Sequence, residues 1–164
     1  MGLVARRRRG FTLIEILVVI AIIAIAAGAV ALAFTGSDRD TALREAQRFA
    51  GALEHAAMRA QVRAETLGVS ADGAAWRFWR RDPDTGRWQA VADPDGILSP
   101  HALPEGMRLR AVAYAGRELE ADAIVPLRAT GRNEPFVFEL SARDAAFSLA
   151  TDPLNRITLA TVTP

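Results

Sequence analysis

"RRRRGFTLIEILVVIAIIAIAAGAVALAF" (residues 6–34) sets four arginines and one glycine before a long apolar run. A single carboxylate, Glu15, stands five residues past that glycine. From Ile16 to Phe34 nineteen residues carry no charge, which matches the roughly 20 residues that an α-helix needs to cross a bilayer. Arg6, Arg7, Arg8 and Arg9 sit just before the run. Basic residues flanking a span stay in the cytoplasm, so the C-terminal bulk is expected on the far side. A charged group within a membrane helix is costly and is normally retained for a purpose. Glu15 is therefore the residue that any reading of this stretch has to explain.

Three readings compete. A cleaved secretory signal fits the charge, but its apolar core is usually 7–15 residues and is followed by the small-residue site. Here the run is longer, and Ala26-Ala27-Gly28 lies inside it. A twin-arginine signal meets the same objection. An uncleaved signal anchor explains the length and leaves Glu15 without a role. The third reading rests on Gly10-Phe11-Thr12-Leu13-Ile14-Glu15, which resembles the type IV prepilin processing motif. That resemblance implies cleavage between Gly10 and Phe11 by a prepilin peptidase, N-methylation of Phe11, and retention of the apolar helix. It also implies a role for the carboxylate. The new amine on Phe11 would be an unpaired charge in a low-dielectric region, and Glu15, with Leu13 and Ile14 beside it, would neutralise it and set subunit register. Buried pairs are better attested as register devices than as net stabilisers.

Composition narrows the chemistry. The chain has 164 residues and no cysteine, and all 20 basic residues are arginine. Disulfides, thiol nucleophiles and Zn–thiolate sites are excluded, as are Schiff-base and P-loop lysines. The net charge of +1 conceals an asymmetry: the first ten residues hold four arginines and no acid, leaving 16 arginines against 19 acids beyond. A balance of −3 gives that larger part no global field for nucleic acid or an anionic membrane.

Beyond the apolar run the pattern stays helical. Leu43, Ala46, Phe49, Ala50, Leu53, Ala57 and Ala60 recur at three- and four-residue spacing, with Arg44, Glu45, Arg48, Glu54 and Arg59 largely on other faces. A helix over 11–64 would be about 80 Å long, with Thr35-Gly36-Ser37-Asp38 as a place for a kink or cap. After Leu67 short β-prone runs take over: 66–70, 76–80, 88–91, 109–114, 123–127, 136–140, 147–150 and 157–162. Turn signals such as Asp82-Pro83-Asp84-Thr85-Gly86 and Asp93-Pro94-Asp95-Gly96 separate them. About eight strands and one long helix predict an α+β fold, with one or two antiparallel sheets packed on the helix.

The segments "LGVSADGAAWRFWRRDPDTGRW", "LPEGMRLR" and "ATGRNEPFVFEL" resemble the C-terminal domain of the GspH/FimT family of minor pseudopilins and minor pilins. The resemblance implies a type IV pilin-like fold and four parts. These are a basic leader over 1–10, a transmembrane and assembly helix over 11–35, its amphipathic continuation over 36–65, and a periplasmic β-rich domain over 66–164. It implies a minor pseudopilin of a type II secretion system, held in the inner membrane and acting near the tip of a periplasmic pseudopilus. Its expected partners are other pseudopilins, the prepilin peptidase/methylase and the inner membrane, with no enzymatic activity and no cofactor. The alternative it leaves open is a FimT/FimU-like minor pilin of a type IV pilus that binds DNA.

Catalytic and metal motifs are not apparent in the sequence. His55 and His101 have no ligand spacing to carboxylates and are expected at the surface. The two Asp-Pro-Asp stretches do not fit EF-hand spacing and read as turns. One cluster, Trp76-Arg77-Phe78-Trp79-Arg80-Arg81 with Arg87-Trp88, interleaves arginine and aromatic residues as a nucleic-acid patch would, making Arg77, Arg80, Arg81 and Arg87 the candidates. The competing reading is a β-hairpin with Trp76, Phe78 and Arg80 on one face and Arg77, Trp79 and Arg81 on the other. The C-terminal "RITLATVTP" supplies no basic tail.

Overall fold

The computed structural model describes residues 13–152 and 156–162, with the side chains of residues 29–37 left out. Among the described residues the one helix, α1, runs Leu13–Val62. The chain divides into two compact units, Met1–Ser37 and Asp38–Pro164. The helix continues through 35–38, so the expected cap does not end it there. A mid-helix glycine such as Gly36 costs only about 1 kcal/mol relative to alanine, too little to break a helix supported on both sides. The actual end comes at Val62: Ala64 adopts a left-handed φ of 50°, and the Glu65 N–H donates to Ala60 O at 3.1 Å. That is a Schellman-type stop made without glycine.

Within the first unit, every residue from 13 to 28 is exposed. Within the second, ten short strands form two antiparallel sheets. They are β1 Leu67–Ala71, β2 Ala75–Arg81, β3 Trp88–Ala90, β4 His101–Ala102, β5 Arg108–Tyr114, β6 Arg117–Glu118, β7 Val125–Leu127, β8 Phe136–Ser141, β9 Ala146–Thr151 and β10 Ile157–Val162. Sheet A has the order β3-β2-β1-β7, with β4 also pairing β2; sheet B has the order β10-β9-β8-β5-β6. Gly73 and Leu109 exchange main-chain hydrogen bonds of 3.1 and 3.0 Å, joining the turn after β1 to β5. Each of the eight β-prone runs holds a strand. The two-residue β4 and β6 were not foreseen, because two residues carry no period.

The core lies between α1 and the sheets. Ala42, Ala46, Phe49, Leu53, Ala56 and Ala60 are buried along one helix face. Leu43 and Ala50 are only partly buried, and Ala52 and Ala56 take the share of the stripe that they were expected to hold. Phe49 meets both sheets: its ring lies 5.1 Å from Trp76 of β2 and 5.0 Å from Phe138 of β8, the latter edge to face. The alternating strand β8 buries Phe136, Phe138 and Leu140. The loop before it seats on the helix end. Gly131 has φ +74°, and a Cβ there would meet the Gln61 side chain at 3.0 Å. Buried Asn133 accepts the Arg128 N–H at 2.6 Å.

Truncating Phe49 removes contacts to both sheets at once. Phe49→Ala in residues 38–164 is expected to cost about 3–5 kcal/mol, read as a lowered urea midpoint. A loss below 1 kcal/mol, in order-of-magnitude terms, would contradict this role.

Candidate assembly surface

The first turns of α1 are built from residues that a water-soluble helix would not expose. Leu13 is 84% exposed, Ile14 69% and Ile25 73%, and Ile16, Leu17, Val18, Val19, Ile20, Ile22 and Ile23 are exposed between them. Their side chains point in every direction around the axis, which is the pattern of a helix surrounded by apolar neighbours and not of one with a single buried stripe. An apolar patch of this extent on one chain marks a surface that something else covers. Glu15 stands in the first turn of α1, where a carboxylate interacts favourably with the positive end of the helix dipole. Gly10, Phe11 and Arg6 to Arg9 lie outside the described residues. Among the described residues no helix is long and apolar enough to cross a membrane. The placed apolar side chains end at Gly28, and residues 29–34 of the charge-free run fall among those left out.

The arginine–aromatic cluster folds as the hairpin reading anticipated. Trp76 and Phe78 are buried against the helix, while Arg77 is exposed and Trp79 half-buried on the other face. Trp79 donates its indole N–H to Ser70 Oγ at 2.9 Å. Trp88 lies over Gly68, where a Cβ would stand 2.8 Å from the indole. Arg77 pairs with Asp72 at 3.2 Å, and the Arg81 Nε–H donates to Gly86 O at 3.2 Å. Strand alternation sends Arg80 to the opposite face from Arg77 and Arg81. Arg80, Arg81 and Arg63 line a notch of about 510 Å³ with Glu65 and Asp82, so both signs of charge meet there. Arg80 and Arg81 thus share this notch, while Arg77 and Arg87 are not among its walls.

Both Asp-Pro-Asp stretches are turns with defined work. Asp82 Oδ1 accepts the N–H groups of Asp84 and Thr85 at 3.0 and 2.8 Å. The Thr85 hydrogen bonds, main chain first, hold the Asp82 carboxyl below its usual 3.8. Depression of a carboxylate pKa means its stabilisation of the turn is present above that value and is lost as pH falls through the folded-state pKa. Asp93 accepts the Leu98 N–H at 2.7 Å through Oδ2 and pairs with Arg59 through Oδ1 at 3.3 Å.

Two polar clusters were missed at the level of sequence. Arg59 is 9% exposed in its side chain and bridges Glu65 at 2.8 Å and Asp93 at 3.3 Å. The spacing predicts a face other than the apolar stripe for it, yet its position between Ala56 and Ala60 puts it at the margin of that stripe. His101, expected at the surface, is partly buried. Its ring centroid lies 4.2 Å from that of Trp76, and its Nε2 is 2.8 Å from Glu45 Oε2. A cleft of about 390 Å³ opens beside it, with Arg48, Gly51 and Ile97 on its walls. Neither partner is near in sequence, so no local pattern could have joined them.

With this geometry in place, comparison with known proteins is decisive. The model of the prokaryotic N-terminal methylation motif matches residues 5–31, and that of the type II transport protein GspH matches residues 45–158. The chain belongs to the GspH family. It is 30% identical over 129 residues to type II secretion system protein H of Pectobacterium carotovorum, covering 70% of this chain and 69% of that one. It is 30% identical over 134 residues to type II secretion system protein H of Escherichia coli K12, covering 79% of each. The fold is similar to that of the minor pseudopilin EpsH of Vibrio cholerae, with a TM-score of 0.58 and 20% identity over 76% of this chain and 96% of that one. This is a type IV pilin-like fold.

Because Arg59 and Asp93 are both nearly buried, removing one leaves the other as an uncompensated charge. Arg59→Ala is expected to destabilise residues 38–164 by about 3–5 kcal/mol, measured by urea unfolding. Arg59→Met with Asp93→Asn and Glu65→Gln, which keeps an acceptor for the Leu98 N–H, should recover much of that loss. A double-mutant cycle with no coupling between Arg59 and Asp93 would contradict the assignment.

Proposed function

We propose that this chain is a minor pseudopilin of a type II secretion system, a structural subunit that acts near the tip of a periplasmic pseudopilus. The observation that carries the reading is the uncovered apolar surface over residues 13–25, lying within the matched methylation motif. Prepilin peptidase cuts between Gly10 and Phe11 on the cytoplasmic side, and Phe11 is then N-methylated. Arg6, Arg7, Arg8 and Arg9 hold the leader in the cytoplasm. Until assembly, lipid covers the helix over 11–35. On assembly, the corresponding helices of other pseudopilins replace lipid.

Apolar packing among these helices supplies the attraction, and Glu15 supplies register. Its carboxylate neutralises the amine of Phe11, a group created only by processing. An unprocessed chain therefore lacks half of the pair that defines the stagger. The domain over 66–164 stays in the periplasm and presents side-chain surface to neighbouring subunits. The force for export arises in a cytoplasmic motor elsewhere in the machine.

Glu15→Ala is expected to leave cleavage and methylation intact and the domain folded. Its incorporation into the pseudopilus should fall by at least several-fold, read as the share of chain recovered with the sheared filament fraction. Unchanged incorporation would remove Glu15 from this role.

A further inference from the structure

Sheet B ends in a strand whose outer edge shows none of the devices that proteins use to blunt an edge. β10 pairs β9 along one side, and among the described residues no strand lies on the other. Its sequence, Ile157-Thr158-Leu159-Ala160-Thr161-Val162, has no charge and no proline. The other outer strands are short, and some are charged or carry proline. β6 is the dipeptide Arg117-Glu118, β7 has three residues with Pro126 at its centre, and β3 and β4 have three and two. Brevity, charge and proline protect an edge from further pairing. Among the described residues, β10 is left as an open row of main-chain donors and acceptors.

The hairpin register identifies which groups form that row. The Asp152 N–H donates to Arg156 O at 3.2 Å, which makes this a hydrogen-bonded pair, and such pairs alternate along an antiparallel ladder. With Thr158 opposite Ala150 and Ala160 opposite Ser148, those two residues bond to β9. The N–H and C=O groups of Ile157, Leu159 and Thr161 point outward.

We propose that this edge pairs antiparallel with β10 of a second copy of the chain, about a two-fold axis at Leu159. Leu159 then faces the partner's Leu159, Ile157 faces the partner's Thr161, and Thr158 faces the partner's Ala160. This register uses all of the outward groups, in about six main-chain hydrogen bonds, two for each exchanged pair. Shifting it by two residues sets an outward residue opposite position 155 or 163, beyond the strand Ile157–Val162. A two-fold interface must be its own complement, and a strand without charges brings no like charges together. Head-to-tail pairing between copies has no suitable second edge, since the remaining outer strands are short. The shared area is that of one strand, so association is weak in dilute solution and grows where chains are concentrated on one surface.

The chain has no cysteine, so engineered thiols report cleanly. Full-length Thr158→Cys and Ala160→Cys, each purified in detergent, are mixed and oxidised. In the proposed register these positions form a non-hydrogen-bonded pair with Cα atoms about 4.5 Å apart, within disulfide reach. The mixture should yield a disulfide dimer several-fold above either variant alone at the same total concentration. Adding Thr161→Pro to both removes an outward N–H and spares the β9 ladder. It should abolish the dimer while the circular dichroism stays unchanged. Absence of the mixed dimer, or equal yields from mixture and single variants, would overturn the proposal.

Discussion

An α-helix that is apolar on every side has to be covered by something. That requirement organises this molecule. In residues 13–25 the large side chains of α1 stand exposed around the whole axis, whereas from Ala42 to Ala60 one face of the same helix is buried and the opposite face carries charge. One element thus serves two kinds of neighbour. Apolar burial is worth about 25 cal/mol per Å², so the first half gains strongly from any apolar surroundings without choosing among them. Apolar burial does not discriminate among such neighbours, and we propose that the Glu15 carboxylate in the first turn does.

The second half of α1 is tied to its domain by one large ring among small residues. Alanines at 42, 46, 56 and 60 bring the helix close to the sheets, and Phe49 fills the space where β2 and β8 approach it. Around this core the polar groups act at the margins. Arg59 anchors the loop at Asp93 to the helix, and Glu45 reaches His101 on β4. Gln61 packs under Gly131. Each joins the helix over 38–62 to a segment distant in sequence.

What was legible in the sequence follows from these forces. Alternation in 136–140 reported a strand, because the sheet buries Phe136, Phe138 and Leu140 on one face against the core. The three- and four-residue spacing over 43–60 reported the docked helix. Polar partners across long separations were not legible: Arg59 and His101 looked like surface residues because nothing local marks Asp93 or Glu45 as their counterparts. The spacing reads as one helix over 11–64, and Thr35-Gly36-Ser37-Asp38 does not end it, since residues that favour caps do not stop a helix that propagates from both sides. Of the N-terminal motif, Leu13, Ile14 and Glu15 fall on described helix, while Gly10, Phe11 and Arg6 to Arg9 lie outside it.

The account turns on whether the apolar helix is kept. Intact-mass and N-terminal sequencing of the mature chain, recovered from membranes of cells with a prepilin peptidase, test this directly. Loss of residues 1–10 and a new terminus at Phe11 carrying one added methyl group are expected. A mature chain beginning near residue 29, with the apolar run discarded, would contradict it.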